Sequence, residues 1–87
     1  MPGKKANKSV KSLKKNDDRI KKIGSRIKQL RIDAGYTSLE KFAYAFDINR
    51  TQYARYERGE DMRISSLLKV LDAHGVTLGE FFSKIPA

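Results

Sequence analysis

Residues 48–59, INRTQYARYERG, concentrate long hydrogen-bonding side chains in one short segment. The segment holds three arginines, two tyrosines, a threonine and a glutamine, and its pattern indicates a helix. Guanidinium, amide and hydroxyl groups form directional hydrogen bonds with acceptors on a partner. The side chains best suited to such contacts are Arg50, Thr51, Gln52 and Arg55. We expect this segment to recognise a polar surface.

Few groups in the sequence are suited to covalent catalysis or metal binding. The chain has one histidine and no cysteine, which excludes a cysteine nucleophile and a cysteine-ligated metal site. His74 has no second ligand near it in sequence and is expected to be a half-buried packing residue. The phosphate-binding pattern GxxxxGK[ST] is absent. We predict that the protein is not an enzyme and binds no metal or cofactor.

The charge of the chain indicates its class of partner. Among 87 residues, 19 are Lys or Arg and 10 are Asp or Glu, which gives a formal charge of +9. This balance favours a polyanion, nucleic acid before an anionic membrane surface, although such charge also aids solubility. No apolar run is long enough to cross a bilayer, and the lysine-rich start lacks the apolar core of a secretory signal. We expect a cytoplasmic, nucleoid-associated protein with no membrane partner.

The sequence divides into a basic arm, residues 1–16, and a helical domain, residues 17–87. The arm contains six lysines and no acidic residue, and its few apolar residues cannot offset the entropy of ordering it. We predict a flexible arm that either attracts phosphates or acts as a solubilising tail.

Helical periodicity and capping residues predict an all-α, compact five-helix bundle for the domain. Ile20, Ile23, Ile27 and Leu30 form one apolar stripe. Glycines follow three of the predicted helices and would end them. The predicted helices are 18–34, 39–46, 50–58, one opened by Ser65 or Ser66, and a short one after a capping box at Thr77–Glu80.

The second and third predicted helices have the lengths and the short connection of a helix-turn-helix. Ser38 and Asn49 are suitable N-caps for them. If Ile48 and Tyr53 point into the core, helical spacing turns Arg50 and Arg55 outward. A helix fits the major groove of B-DNA, where Arg pairs with guanine, Gln with adenine and the Thr methyl with the thymine methyl.

From Ile23 to about Phe82 the chain resembles the Cro and phage-repressor (XRE-type) helix-turn-helix family. The matching stretches are IGSRIKQLR, SLEKFAYAFDINRTQYARYERG and LLKVLDAHGVTLGEFF, in that order. The resemblance implies a compact five-helix domain that binds operator DNA, often as a dimer on two half-sites.

The resemblance also implies roles for individual residues. Arg50, Thr51 and Arg55 would contact bases, with Gln52 near a base or the backbone. Ser38, Arg26 and Arg63 would contact phosphates, and Ser38 and Leu39 lie where the N-terminus of the second helix approaches a phosphate. Tyr44 is assigned a phosphate contact as well, because we expect this aromatic side chain to be exposed near the DNA. Arg31 and Glu57 match an internal ion pair and are assigned to the architecture rather than to DNA.

Three residues depart from the pattern of the family. Leu39 stands where Gln is usual, which puts one common DNA contact in doubt. Asp47 replaces a turn glycine, and His74 occupies a position that is usually Leu. We expect the fold to tolerate these changes, because Asp adopts the left-handed conformation more readily than most residues.

The leading functional hypothesis is sequence-specific binding of double-stranded DNA by a transcriptional regulator, a repressor, that reads the major groove with the helix Arg50–Arg58. The alternative is an antitoxin that binds a toxin protein and its own operator. Binding of RNA or an anionic membrane through the basic arm is a third option. A homodimer through the last helices, residues 78–85, stays open, because a monomer would need the same apolar residues for its core.

Overall fold

The computed structural model describes residues 17–85, which form five helices and no strand. They are α1 (Asp18–Asp33), α2 (Leu39–Ala45), α3 (Arg50–Glu57), α4 (Ile64–His74) and α5 (Leu78–Ser83). This confirms the predicted all-α, five-helix fold. The predicted arm, residues 1–16, lies outside the described residues. None of the described helices is long and apolar enough to cross a membrane.

Helix α1 begins and ends where its sequence predicts. The Asp17 carboxylate accepts a hydrogen bond from the Arg19 backbone N–H at 2.8 Å, and the Arg19 guanidinium pairs with the same carboxylate. These contacts lower the pKa of Asp17 from its usual value to about 2. At the other end, Gly35 adopts a φ of 93°. A positive φ is accessible to glycine without steric cost, so the chain can leave the helix there.

Helices α2 and α3 form the predicted helix-turn-helix. The Ser38 hydroxyl accepts from the Lys41 N–H at 3.0 Å, and the Asn49 side chain accepts from the Gln52 N–H at 2.9 Å. Asp47, in the turn between the helices, has a φ of 55°. Its carbonyl accepts a hydrogen bond from the Lys69 ammonium at 2.9 Å, which ties the turn to α4. The short connection and this hydrogen bond together fix the orientation of α3 relative to α2.

Aromatic side chains from three helices fill the centre of the bundle. Phe42 is fully buried, and its ring centroid lies 5.0 Å from that of Tyr53. His74 stacks on Phe42 with ring centroids 4.8 Å apart and planes within 10°, so it packs as expected. The other buried apolar residues are Ile27, Leu30, Ala43, Tyr56, Leu67, Val70, Leu71 and Phe81. This core packs against one face of α3 and leaves the opposite face exposed to solvent.

The start of α4 differs from the prediction. The helix begins at Ile64 rather than after Ser65 or Ser66, and the capping residue Arg63 makes no side-chain cap hydrogen bond. An apolar first residue is tolerated here because packing of Leu67, Val70 and Leu71 stabilises the helix. The predicted capping box of α5 is present, with Thr77 and Glu80 exchanging hydrogen bonds.

A close backbone contact joins α1 to the end of α3. A Cβ added to Gly24 would lie 2.6 Å from the Tyr56 carbonyl oxygen and 2.7 Å from the Gly59 nitrogen. Gly59 itself has a φ of 83° and its own added Cβ would meet Lys21 Cα at 2.7 Å. Only glycine at these two positions permits this approach, which positions α3 against α1.

Candidate nucleic-acid interface

Helix α3 has one buried face and one exposed face. Tyr53 is fully buried and Tyr56 is 9% exposed. The side chains of Arg50 and Arg55 are 67% and 51% exposed. Both arginines therefore project into solvent. The two tyrosines lie on the side of the helix that faces the core, and the arginines lie outside that side.

The exposed face has a centre and two edges. Thr51, Arg55 and Arg58 follow one another at spacings of four and three residues and are all exposed, so they share one stripe. Helical periodicity sets Arg50 and Gln52 on opposite edges of that stripe. The four side chains predicted to contact bases thus lie on one surface, but they do not all meet at one point.

Two clefts flank this stripe. On the Arg50 side, a cleft of about 260 Å³ lies between the first turns of α2 and α3. Its lining residues are Leu39, Glu40, Arg50, Thr51, Ala54 and Arg58. On the other side, Gln52 faces α4 in a cleft of about 160 Å³, with Asn49, Ser66 and Lys69 among its neighbours. The helix-turn-helix therefore has a shallow cleft on each side of α3.

The arginines of this face have weak internal partners. Arg50 lies 3.9 Å from the Glu40 carboxylate, and Arg55 lies 4.0 Å from Glu60. Arg58 pairs more closely with Glu60, at 3.1 Å. Exposed pairs of this kind contribute only about 0–1 kcal/mol. The arginines can exchange these carboxylates for an external acceptor at small cost.

The residues predicted to contact phosphates occupy different surroundings. The Ser38 hydroxyl caps α2 and is half-buried, and Tyr44, also on α2, is 91% exposed. Arg63 is exposed at the start of α4 and lines a cleft with Gln52 and Ser66. These three side chains therefore border the helix-turn-helix.

Arg26 stands apart from that group. It is half-buried on α1, and its Nε is buried without a hydrogen-bond partner. It lines a basic cleft of about 550 Å³ that also includes Lys21 and Lys84. This cleft lies between α1 and the end of the described chain and contains no residue of α2 or α3.

A buried ion pair lies beneath the exposed face of α3. Arg31 Nε donates to Glu57 Oε2 at 2.6 Å, and each side chain is only 6% exposed. The carboxylate raises the pKa of Arg31 above its usual value. Burial raises the pKa of the neighbouring Tyr53 phenol as well. Arg31 and Glu57 are therefore directed into the protein, away from the face that carries Arg50 and Arg55.

Sequence reasoning missed three residues that line the cleft between α2 and α3. Leu39 was noted as a departure from the family pattern, and no contact in this cleft was predicted for Glu40 or Arg58. Their proximity depends on how the two helices cross, which local periodicity does not report. The signal that was available is the short α2–α3 connection, because it brings the first turn of each helix together.

The comparisons with known proteins agree with this arrangement. A family model described as helix-turn-helix matches residues 27–81. Control protein C.MunI from Mycoplasma sp is 37% identical over 71 residues, which cover 80% of this chain and 95% of that protein. No solved structure gives a significant match. The chain belongs to the Cro/phage-repressor (XRE-type) helix-turn-helix family, and it is a DNA-binding regulator of transcription rather than an enzyme.

Proposed function

We propose that this protein binds a specific sequence of double-stranded DNA, reads its major groove with α3 and acts there as a repressor. One observation carries the proposal: Arg50 and Arg55 project from α3 into solvent, while Tyr53, between them in sequence, anchors the helix in the core. A helix supported in this way can enter the groove without losing its packing.

The side chains of α3 supply a set of contacts matched to base edges. Arg50 and Arg55 can each form paired hydrogen bonds with O6 and N7 of guanine, and Gln52 suits N6 and N7 of adenine. The methyl group of Thr51 suits the methyl group of thymine. Because Arg50 and Gln52 lie on opposite edges of the helix, we expect them to contact different base pairs.

Phosphate contacts would position the domain on the duplex. We assign this role to Ser38, Arg63 and Tyr44, which border the helix-turn-helix, and to Arg26 on α1. Such contacts fix orientation but carry no sequence information. The formal charge of +9 adds attraction to any duplex, and binding should therefore weaken steeply as salt is raised.

A second copy of the chain would extend the site. Leu68, Leu78 and Phe82, on α4 and α5, are 39%, 47% and 44% exposed. We propose that they form the contact of a homodimer, which would bind two half-sites related by a two-fold axis. A dimer bound across a promoter would block access to it, which is the basis for proposing repression. The DNA partner implies a cytoplasmic protein associated with the nucleoid.

Selection of bound duplexes from a random pool tests the proposal. We expect one enriched motif with two-fold symmetry, and its affinity should exceed that of random duplex by at least about 10³-fold. Equal retention of all sequences would contradict sequence-specific reading. Enrichment of an asymmetric single site would contradict the homodimer alone.

A toxin partner, the alternative function, makes a different prediction. An antitoxin would be recovered in a stable complex with one protein from its own cells, in the absence of DNA. If nuclease-treated extracts yield such a complex, the antitoxin function replaces the one proposed here even when the selection yields a motif, because an antitoxin also binds its own operator.

A further inference from the structure

The cleft between α2 and α3 has an apolar wall beside the charged side chains of Glu40, Arg50 and Arg58. Leu39, in the first turn of α2, is half-buried and lines this cleft together with Ala54 of α3. Thr51, a member of the solvent-exposed stripe of α3, also lines the cleft. Arg50 lines the same cleft, and its guanidinium lies 3.9 Å from Glu40.

This combination does not suit a phosphate. A phosphate requires donors on several sides, whereas the side chains of Leu39 and Ala54, which line the cleft, consist of carbon and hydrogen only. The major groove does contain an apolar group of suitable size, the methyl group on C5 of thymine, and the same methyl occurs on 5-methylcytosine. The volume of about 260 Å³ exceeds that of a methyl group, so the cleft has room for the methyl together with the edge of its base.

We propose that this cleft is a subsite for the 5-methyl group of a pyrimidine, that Leu39 is its specificity-determining residue, and that Arg50 contacts the guanine beside that pyrimidine. The inference rests on the proposed function, since it requires α3 in the major groove. It also gives a role to Leu39, an apolar side chain at the edge of a charged surface.

A duplex series that changes one methyl group at a time tests the subsite. In the selected site, each thymine is replaced in turn by deoxyuridine, which removes only the methyl group, and Kd is measured by fluorescence anisotropy. We expect one thymine per half-site whose replacement weakens binding about fourfold, the value of one buried methylene. In a second series, each cytosine is replaced by 5-methylcytosine. A position where this modification tightens binding would identify methylcytosine as the source of the methyl group.

Variants at position 39 assign the effect to the cleft. Leu39→Ala should abolish the sensitivity to the methyl group at that position and retain binding to the unmethylated duplex. Leu39→Asn keeps the length and branching of the side chain and should also abolish it, which guards against a packing defect in the alanine variant. Ile32→Ala, at an exposed apolar residue of α1 outside the cleft, should keep the full wild-type sensitivity. Sensitivity retained in both Leu39 variants would overturn the assignment.

The wild-type protein distinguishes this inference from the proposed function. If it prefers the selected site but binds every deoxyuridine and methylcytosine duplex as tightly as the parent, the methyl subsite is wrong and groove reading stands. If it shows no sequence preference, both proposals are wrong.

Discussion

Arg31 and Glu57 form a two-point ion pair that joins α1 to the end of α3. Arg31 Nε donates to one carboxylate oxygen at 2.6 Å, and one terminal nitrogen donates to the other at 3.1 Å. The second terminal nitrogen donates to the Tyr36 carbonyl at 2.7 Å. Each member of the pair is buried with its charge compensated, so removal of either leaves the other as an uncompensated charge in the interior.

We predict that Glu57→Ala lowers the free energy of unfolding by about 3–5 kcal/mol, because it leaves the Arg31 guanidinium buried and unpaired. Urea denaturation followed by circular dichroism measures the change. Glu60→Ala is the matched control, since its partners Arg55 and Arg58 are exposed and such pairs contribute about 0–1 kcal/mol. Equal losses in the two variants would contradict the structural role of the buried pair.

The contact of Gly24 with the end of α3 leads to a prediction about packing. Gly24→Ala should lower the free energy of unfolding by about 1–3 kcal/mol, because the new methyl group would overlap backbone atoms that cannot move aside easily. Gly79→Ala is the control: no atom lies within 4 Å of its added Cβ, and it lies within α5. There the substitution should stabilise by about 0.5–1 kcal/mol. Thermal and urea unfolding of both variants would show changes of opposite sign.

His74 should make the stability of the domain depend on pH. Burial lowers the pKa of His74, its Nε2 is buried without a partner, and it stacks on Phe42. The unfolded chain therefore binds the proton more readily than the folded one. The free energy of unfolding should be constant above about pH 7.5 and should fall as the pH drops below about 6.5.

The comparison that checks this uses His74→Leu. The variant should lose the dependence between about pH 7 and 5, because His74 is the one histidine of the chain and histidine is the side chain that ordinarily titrates in this range. Asp17 and Glu80 also have lowered pKa values, but carboxylates titrate at lower pH. Parallel pH curves for wild type and His74→Leu in this window would show that His74 is not the responsible group.

Arg55 provides the prediction for sequence recognition. Arg55→Ala should reduce discrimination at one base pair of each half-site by about 1–3 kcal/mol, because it removes a paired contact with guanine. The check is the affinity of all four base pairs at each position of the selected site. Arg19→Ala is the control, an exposed arginine on α1 that pairs with Asp17. Unchanged base preference in Arg55→Ala would show that Arg55 does not read a base.

Sequence alone determined the features that arise from local spacing. Apolar residues at helical intervals predicted all five helices, and Ser38, Asn49 and Thr77 predicted the starts of three of them. Caps and periodicity act over three or four residues, so they are visible in a linear chain. The start of α4 was missed because tertiary packing, not a capping side chain, fixes it.

The order of motifs from residue 23 to residue 82 also sufficed to identify the family, which the match over residues 27–81 confirms. The outward orientation of Arg50 and Arg55 followed from the helical period once Tyr53 was taken as buried. What the sequence could not specify was which of these side chains share a recess.

Only the tertiary structure decided that question. The crossing of α2 and α3 brings Leu39 beside Ala54 and Arg50 in one cleft. Gln52 lies in a different cleft, next to α4. The approach of α1 to the end of α3 depends on Gly24 and Gly59, which are 35 positions apart in the chain (59 minus 24). Contacts between such distant residues depend on helix packing angles, and side-chain periodicity within one helix contains no information about the angle at which it meets the next.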